Sequence, residues 1–159
     1  MGHLAIQFAD AMGYEVTAIS SSPGKQTEAL AWGAEKFIDI SDKTALEQAE
    51  FYFDSLLITS HGGIPWGRLL EMLKKKGKVI LAAFPHVDFG PVDLVTHELS
   101  IVTAFLGRRE EMREMLRFAV LHDIKPMIEL MQLSQVNQAI ERLRQNKARY
   151  RIVLVNDII

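Results

Sequence analysis

The chain has 159 residues, 48% hydrophobic and 24% charged, the proportions of an ordinary globular protein built on one core. Its 18 basic and 20 acidic residues leave a net charge of −2, so no basic footprint for nucleic acid or an anionic membrane is expected. No run of about 18 apolar residues is present, the first residues lack a basic n-region, and there is no Cys. These features point to a cytoplasmic protein without disulfides or thiolate metal ligands.

Gly2 to Met12 reads as a helix whose apolar residues Leu4, Ile6, Phe8, Ala11 and Met12 share a broad face, with Gly13 as its stop. Tyr14 to Ile19 is β-rich and ends in the breaker cluster Ser20-Ser21-Ser22-Pro23-Gly24. A second helix is expected from Gly24 to Trp32, stopped by Gly33. A short strand, Lys36 to Ile40, and a polar helix near Lys43–Ala49 follow. Phe53 to Thr59 is nearly continuously apolar in its second half, as a strand covered on both faces would be. Gly62-Gly63-Ile64-Pro65 opens a helix through Leu69, Leu70 and Leu73, which the pattern closes with a basic turn, Lys74-Lys75-Lys76, and Gly77. Lys78 to Ala83 and Ser100 to Phe105 read as strands. A helix carrying Met112, Met115, Leu116, Ala119 and Val120 at helical spacing comes next. Ile128 to Met131 is short and extended, Ser134 starts a last helix, and Arg151 to Val155 ends the chain as a strand.

Short apolar strands alternating with helices imply parallel strands with crossovers, so the expected fold is one α/β domain, residues 1–159, of the doubly wound parallel type. Ligands bind such sheets at the carboxyl ends of the strands. The loops to inspect are therefore Ser20–Lys25, Thr59–Gly63, Ala82–Val87 and Ala104–Arg109. In dinucleotide folds an acidic residue at the end of the second strand takes the ribose hydroxyls and selects NAD. Here that position falls in Ser20-Ser21-Ser22, followed by Lys25. Hydroxyls and an ammonium suit the 2′-phosphate of NADP, which a carboxylate would repel.

The rest of the chemistry is sparse. Only Met1-Gly2-His3 precedes the first helix, so at most the last glycine of a G-x-G-x-x-G fingerprint is present, and the strand before it is missing. His3, His61, His86, His97 and His122 show no metal-ligand spacing, and no G-x-S-x-G elbow supports hydrolysis. Arg149 and Arg151 share a face where the final strand begins.

The sequence resembles the zinc-dependent medium-chain alcohol dehydrogenases, in particular their cinnamyl-alcohol-dehydrogenase-like branch. The resemblance rests on Met1-Gly2-His3-Leu4-Ala5-Ile6-Gln7-Phe8-Ala9, Val16 through Ser22, Trp32-Gly33-Ala34-Glu35, Leu73 through Leu81, Ile124-Lys125-Pro126 and Ala148 through Val153, in the family's order over essentially the whole chain. It implies the NADP-binding domain, of Rossmann type. Ser20, Ser21, Ser22 and Lys25 would hold the 2′-phosphate. Gly2, His3 and Leu4 would lie near the pyrophosphate at a helix N-terminus. Thr59, Ser60 and His61 would border the nicotinamide ribose. Ala82, Ala83 and Phe84, with Ala104, Phe105 and Leu106, would line the nicotinamide through backbone groups. Arg151 would approach the pyrophosphate, with Arg149 a weaker candidate.

The resemblance implies no catalytic residue in this chain and places zinc only in a catalytic domain that the chain lacks. The fold is expected to lack its first strand, which would leave two sheet pieces with unpaired inner edges. Met1 then reads as an internal Met of a longer reading frame. The function implied is hydride transfer between NADPH and an aldehyde or alcohol by the complete enzyme. The isolated chain is expected to bind the nicotinamide dinucleotide without turnover. The alternative is a non-enzymatic nucleotide-binding or dimerisation module. Ile101–Leu106 resembles the strand through which the family's cofactor domains pair, so a homo-oligomer through strand pairing is an expected partner arrangement. A Rossmann-like methyltransferase fits poorly, because the Arg149-Tyr150-Arg151 strand comes last.

Overall fold

The computed structural model describes residues 1–103, 106–145 and 147–157. In chain order the elements are α1 (Gly2–Ala11), β1 (Thr17–Ser20), α2 (Gln26–Ala31), β2 (Lys36–Asp39), α3 (Lys43–Gln48), β3 (Phe53–Ile58), α4 (Trp66–Glu71) and β4 (Leu73–Leu81). They continue as α5 (Pro91–Thr96), β5 (Ser100–Thr103), α6 (Arg109–Leu121), β6 (Ile128–Gln132), α7 (Val136–Arg144) and β7 (Arg151–Val155). Short 3₁₀ turns at Pro23–Lys25 and Leu133–Gln135 lead into α2 and α7.

Every strand pair is parallel, and helices connect the strands, so the fold is α/β as the alternation implied. The strands form three sheets: β1–β2, β3–β4–β5 and β6–β7. Among the described residues β1 pairs only with β2, and β3 pairs with β4 alone. Two sheet pieces were expected and the described residues form three, with no pairing of β1 to β3 that would close the space between them.

Local chemistry sets the helix starts. Asp42 accepts the Ala45 N–H at 3.1 Å and caps α3. Asp93 accepts the Gly90 N–H at 2.7 Å ahead of α5, and Glu111 accepts the Arg108 N–H at 2.6 Å ahead of α6. Each satisfies a donor at a helix entrance, and the two carboxylates in first turns face the positive end of the helix dipole.

The core lies between β3, β4 and α4. Leu56, Ile58 and Val79 pack with Trp66, Leu69, Leu70, Met72 and Leu73, and Leu46 and Ala49 close it from α3. Met72, Leu73 and Val79 are fully buried, and each such side chain contributes on the order of 1.5–3 kcal/mol of apolar burial.

Two sequence expectations change. Lys74-Lys75-Lys76-Gly77 is not a helix end: α4 stops at Glu71, and these residues form a bulge inside β4. The register passes from Phe53 opposite Leu73 to Ser55 opposite Lys78. Ion pairs to Asp54 (3.0 Å) and Glu98 (2.8 Å) hold Lys74 and Lys75 outward. At Gly77 a Cβ would sit 2.8 Å from the Lys74 carbonyl oxygen, so the bulge closes only on glycine. β3 is covered on one face, since Leu57 is 46% exposed between buried Leu56 and Ile58. On α6 the apolar residues point outward: Met112, Leu116 and Val120 are exposed, and the helix is held near its end by Phe118 stacked on Phe8, centroids 5.9 Å apart.

Candidate functional site

The loops singled out from sequence follow the carboxyl ends of β1, β3, β4 and β5. Ser20 is the last residue of β1, and its carbonyl accepts the Ile40 N–H at 3.0 Å. Its Oγ accepts the Ser22 N–H at 3.2 Å, a small turn that aims the chain into the 3₁₀ segment Pro23–Lys25. Ser21 is exposed, and Lys25 and Ser22 are half-buried. The loop thus presents hydroxyls and one ammonium with no carboxylate between Ser20 and Gln26.

The N-terminus of α1 meets the end of β3. A Cβ on Gly2 would lie 3.6 Å from Thr59 Oγ1, so the helix start sits against the loop after β3. Leu4 and Ala5 donate their backbone N–H groups to the Met1 carbonyl at 3.1 Å. Among the described residues the N–H groups of Gly2 and His3 make no such bond. These are the donors that a helix N-terminus offers to an anion.

His3 turns inward. It is 6% exposed, and its Nε2 accepts the Met127 N–H at 3.3 Å, while Nδ1 is buried without a partner. Its ring lies 5.5 Å from Trp32 and 5.1 Å from Tyr150, centroid to centroid, and Trp32 and Tyr150 meet edge to face at 5.1 Å. Burial first, then the positive charges of the amino terminus and Arg151, lower the imidazole pKa. The side chain therefore ties α1 and α2 to the segment before β7, while its backbone stays at the helix entrance.

The remaining predicted residues are dispersed. Ser60 and His61 are exposed beyond β3, and Ala82 continues the β3–β4 ladder through its N–H to the Ile58 carbonyl at 3.0 Å. Ala83 is buried, whereas Phe84 and Leu106 are 78% and 86% exposed. Ala104 and Phe105 lie outside the described residues. Arg151 opens β7, paired in register with Ile128, and is exposed. Two open cavities, of 380 and 310 Å³, lie beside α4, between the loops after β3 and β4. Of the predicted residues only His61 lines either. The β1 loop and the α1 entrance offer backbone N–H groups, hydroxyls and an ammonium of the kind that suits a phosphate.

One feature of the site has no signal in residue type or spacing. Glu28, in the first turn of α2, receives the Tyr150 hydroxyl and lies 3.7 Å from Arg149 Nε. Burial and this carboxylate push the Tyr150 phenol up to about 12. Nothing in residue type or spacing links positions so far apart in the chain.

Among the described residues no group of three or more His, Asp or Glu is placed to hold a metal ion, and the chain has no Cys. The described residues do not form a zinc site. No helix of the described residues is long and apolar enough to cross a membrane.

Comparison with known proteins places this geometry. The chain is 39% identical over 160 residues to alcohol dehydrogenase 9 of Catharanthus roseus, covering 97% of this chain and 44% of that protein. A cinnamyl alcohol dehydrogenase from Sorghum bicolor superposes with a TM-score of 0.91 at 35% identity, covering 96% of this chain and 44% of that one. Acetophenone reductase from Geotrichum candidum, solved in complex with NAD, superposes with a TM-score of 0.83 at 25% identity, covering 97% and 46%. The chain thus spans less than half the length of these relatives. The family model described as zinc-binding dehydrogenase matches residues 1–120, and the chain belongs to that family.

Proposed function

We propose that this chain is a single nicotinamide-dinucleotide-binding domain, selective for NADPH, of a cytoplasmic alcohol dehydrogenase that interconverts aldehydes and alcohols. The observation that carries this reading is the loop after β1. Ser20, Ser21, Ser22 and Lys25 present hydroxyls and an ammonium where an NAD-selective site would present a carboxylate. The free N–H groups of Gly2 and His3 at the entrance of α1, beside Thr59, suit the pyrophosphate. Ser60, His61, Ala82, Ala83, Phe84 and Leu106 belong to the loops on the nicotinamide side in this reading, and Arg151 supplies a further cation for the phosphates. When bound, the dinucleotide supplies the hydride chemistry. The chain's own residues bind and orient it. The NAD complex of acetophenone reductase supports a dinucleotide on this fold.

Calorimetric titration of the chain with NADPH and with NADH at fixed salt tests the reading. Saturable binding that favours NADPH by about tenfold or more, as expected for one charge-assisted phosphate contact, supports it. Binding of neither nucleotide refutes it for this chain.

A further inference from the structure

Both carboxylate oxygens of Glu28 are engaged from the far end of the chain. Oε1 faces Arg149 Nε at 3.7 Å, and Oε2 accepts the Tyr150 hydroxyl. Arg149 is itself held in place. Its backbone N–H donates to Glu129 Oε1, and Glu129 Oε2 is paired with Arg142 at 2.5 Å. The Arg149 guanidinium also lies 5.5 Å from the centre of the Tyr150 ring, which packs on His3 and Trp32. The segment before β7, anchored through the Arg149 backbone, therefore brings a cation and a hydroxyl onto α2.

Glu28 lies three positions after Lys25, and Lys25 is the residue from which α2 starts. Side chains three apart on a helix are neighbours. A free carboxylate at Glu28 would pair with the Lys25 ammonium and repel a phosphate held by it. The loop Ser20–Lys25 itself contains no acid, so Glu28 is the carboxylate of α2's first turn positioned to do this.

We infer that Arg149 is a positioning residue for NADPH selectivity: by pairing with Glu28 it keeps that carboxylate off Lys25, leaving the ammonium for the 2′-phosphate. The inference rests on the proposed NADPH reading and assigns Arg149 to selectivity through Glu28, in place of contact with the pyrophosphate. Only NADPH carries the 2′-phosphate, so the effect falls on the ratio of NADPH to NADH affinity and leaves shared contacts alone.

The test is the NADPH/NADH affinity ratio of four chains: unsubstituted, Arg149→Met, Glu28→Gln and the double variant. Arg149→Met should lower the ratio by about three- to tenfold, the scale of one unit charge acting over several ångströms of partly hydrated surface, with NADH affinity nearly unchanged. Glu28→Gln in the Arg149→Met background should restore the ratio, which a merely structural role for Arg149 would not allow. An unchanged ratio in Arg149→Met, or no restoration in the double variant, overturns the inference while the cofactor reading stands. Should Arg149→Met fail to fold, Glu28→Gln alone decides. A ratio within about threefold of the unsubstituted chain's supports a carboxylate already neutralised, and any larger change overturns it. Failure of the unsubstituted chain to bind either nucleotide overturns the cofactor reading, and this inference with it.

Discussion

His3 and Tyr150 lie ring against ring, centroids 5.1 Å apart and planes 28° from parallel, and so join the first turn of α1 to the residues that lead into β7. Trp32 completes the cluster from the end of α2. Gln7 also links the C-terminal segment to the N-terminal helix, donating to the Lys125 carbonyl at 3.2 Å and accepting the Lys125 N–H at 3.3 Å, and Phe8 stacks on Phe118. His3→Ala removes two ring contacts, each worth about 0.5–1.5 kcal/mol beyond area burial, together with the acceptor for Met127. A loss of about 2–3 kcal/mol in urea unfolding is expected, with early exposure of residues 124–131 in hydrogen exchange.

The same histidine sets a pH dependence. Its pKa is lowered in the fold, by burial first and then by the amino terminus and Arg151. Tyr150, Trp32 and Glu28 face the cluster from the other elements, and Glu28 is engaged by Arg149 and Tyr150. Above about pH 7 the imidazole is neutral in both states, and its contribution is complete. As pH falls through the unfolded value, near 6.5, the unfolded chain takes up a proton that the folded chain resists. Stability then drops, by at most about 1.4 kcal/mol per pH unit, until the folded group protonates. Denaturant unfolding between pH 5 and 8 should show this slope, and His3→Phe, which keeps a ring and loses the titration, should reduce it. Equal slopes in the two proteins would exclude His3 as the source.

Among the described residues, α1, α2, α5 and α6 end in the same hydrogen-bonded turn. After α1, α2, α5 and α6, residues Gly13, Gly33, Glu98 and Asp123 take positive φ of 83°, 102°, 53° and 54°. In each, the next residue donates back five positions: Tyr14 to Ala9, Ala34 to Ala29, Leu99 to Leu94, Ile124 to Ala119, at 2.8–3.1 Å. This is the Schellman turn, which glycine fits best. At Gly33 a Cβ would also stand 2.8 Å from the Asp10 Cβ, so Gly33→Ala should cost about 2–3 kcal/mol, left-handed strain plus the clash. Glu98→Gly should do the opposite. It relieves about 1 kcal/mol of strain and loses only an exposed ion pair to Lys75. A rise in the urea midpoint, larger at high salt where the ion pair is already screened, is the expected result.

These turns also show where sequence reading reaches its limit. Gly13 and Gly33 announce their helix ends because glycine is the residue the left-handed position favours. Glu98 and Asp123 adopt the same conformation silently, and α5, built from Pro91-Val92-Asp93-Leu94-Val95-Thr96, was not expected as a helix. It is held by Asp93 capping Gly90 and by the turn at Glu98, neither visible as periodicity. Lys74–Gly77 misled in the other direction, since basic residues before glycine end helices as readily as they line a bulge. The parallel α/β order was legible because short apolar strands between helices admit few other arrangements. The loops of the candidate site were legible for the same reason, since they follow strand ends. The Glu28–Arg149–Tyr150 contact was not, because it depends on how the last strand returns to α2.

Nucleotide preference should invert at Ser21. Ser20 Oγ is committed to the Ser22 N–H, whereas Ser21 is exposed at the mouth of the loop. In the proposed reading, an aspartate there would place a carboxylate where the ribose hydroxyls of NADH could donate to it and the 2′-phosphate of NADPH would be repelled. Ser21→Asp should weaken NADPH by about tenfold or more and strengthen NADH by a few-fold, from one charge-assisted bond gained and one charge repulsion added. Lys25→Ala should weaken NADPH by a similar factor, leave NADH unchanged and lower the salt dependence of NADPH binding. Calorimetry with both nucleotides at two salt concentrations separates these outcomes. If Ser21→Asp lowered the two affinities equally, the loop after β1 would not be the adenosine-ribose site, and the dinucleotide would have to be sought elsewhere along the strand ends.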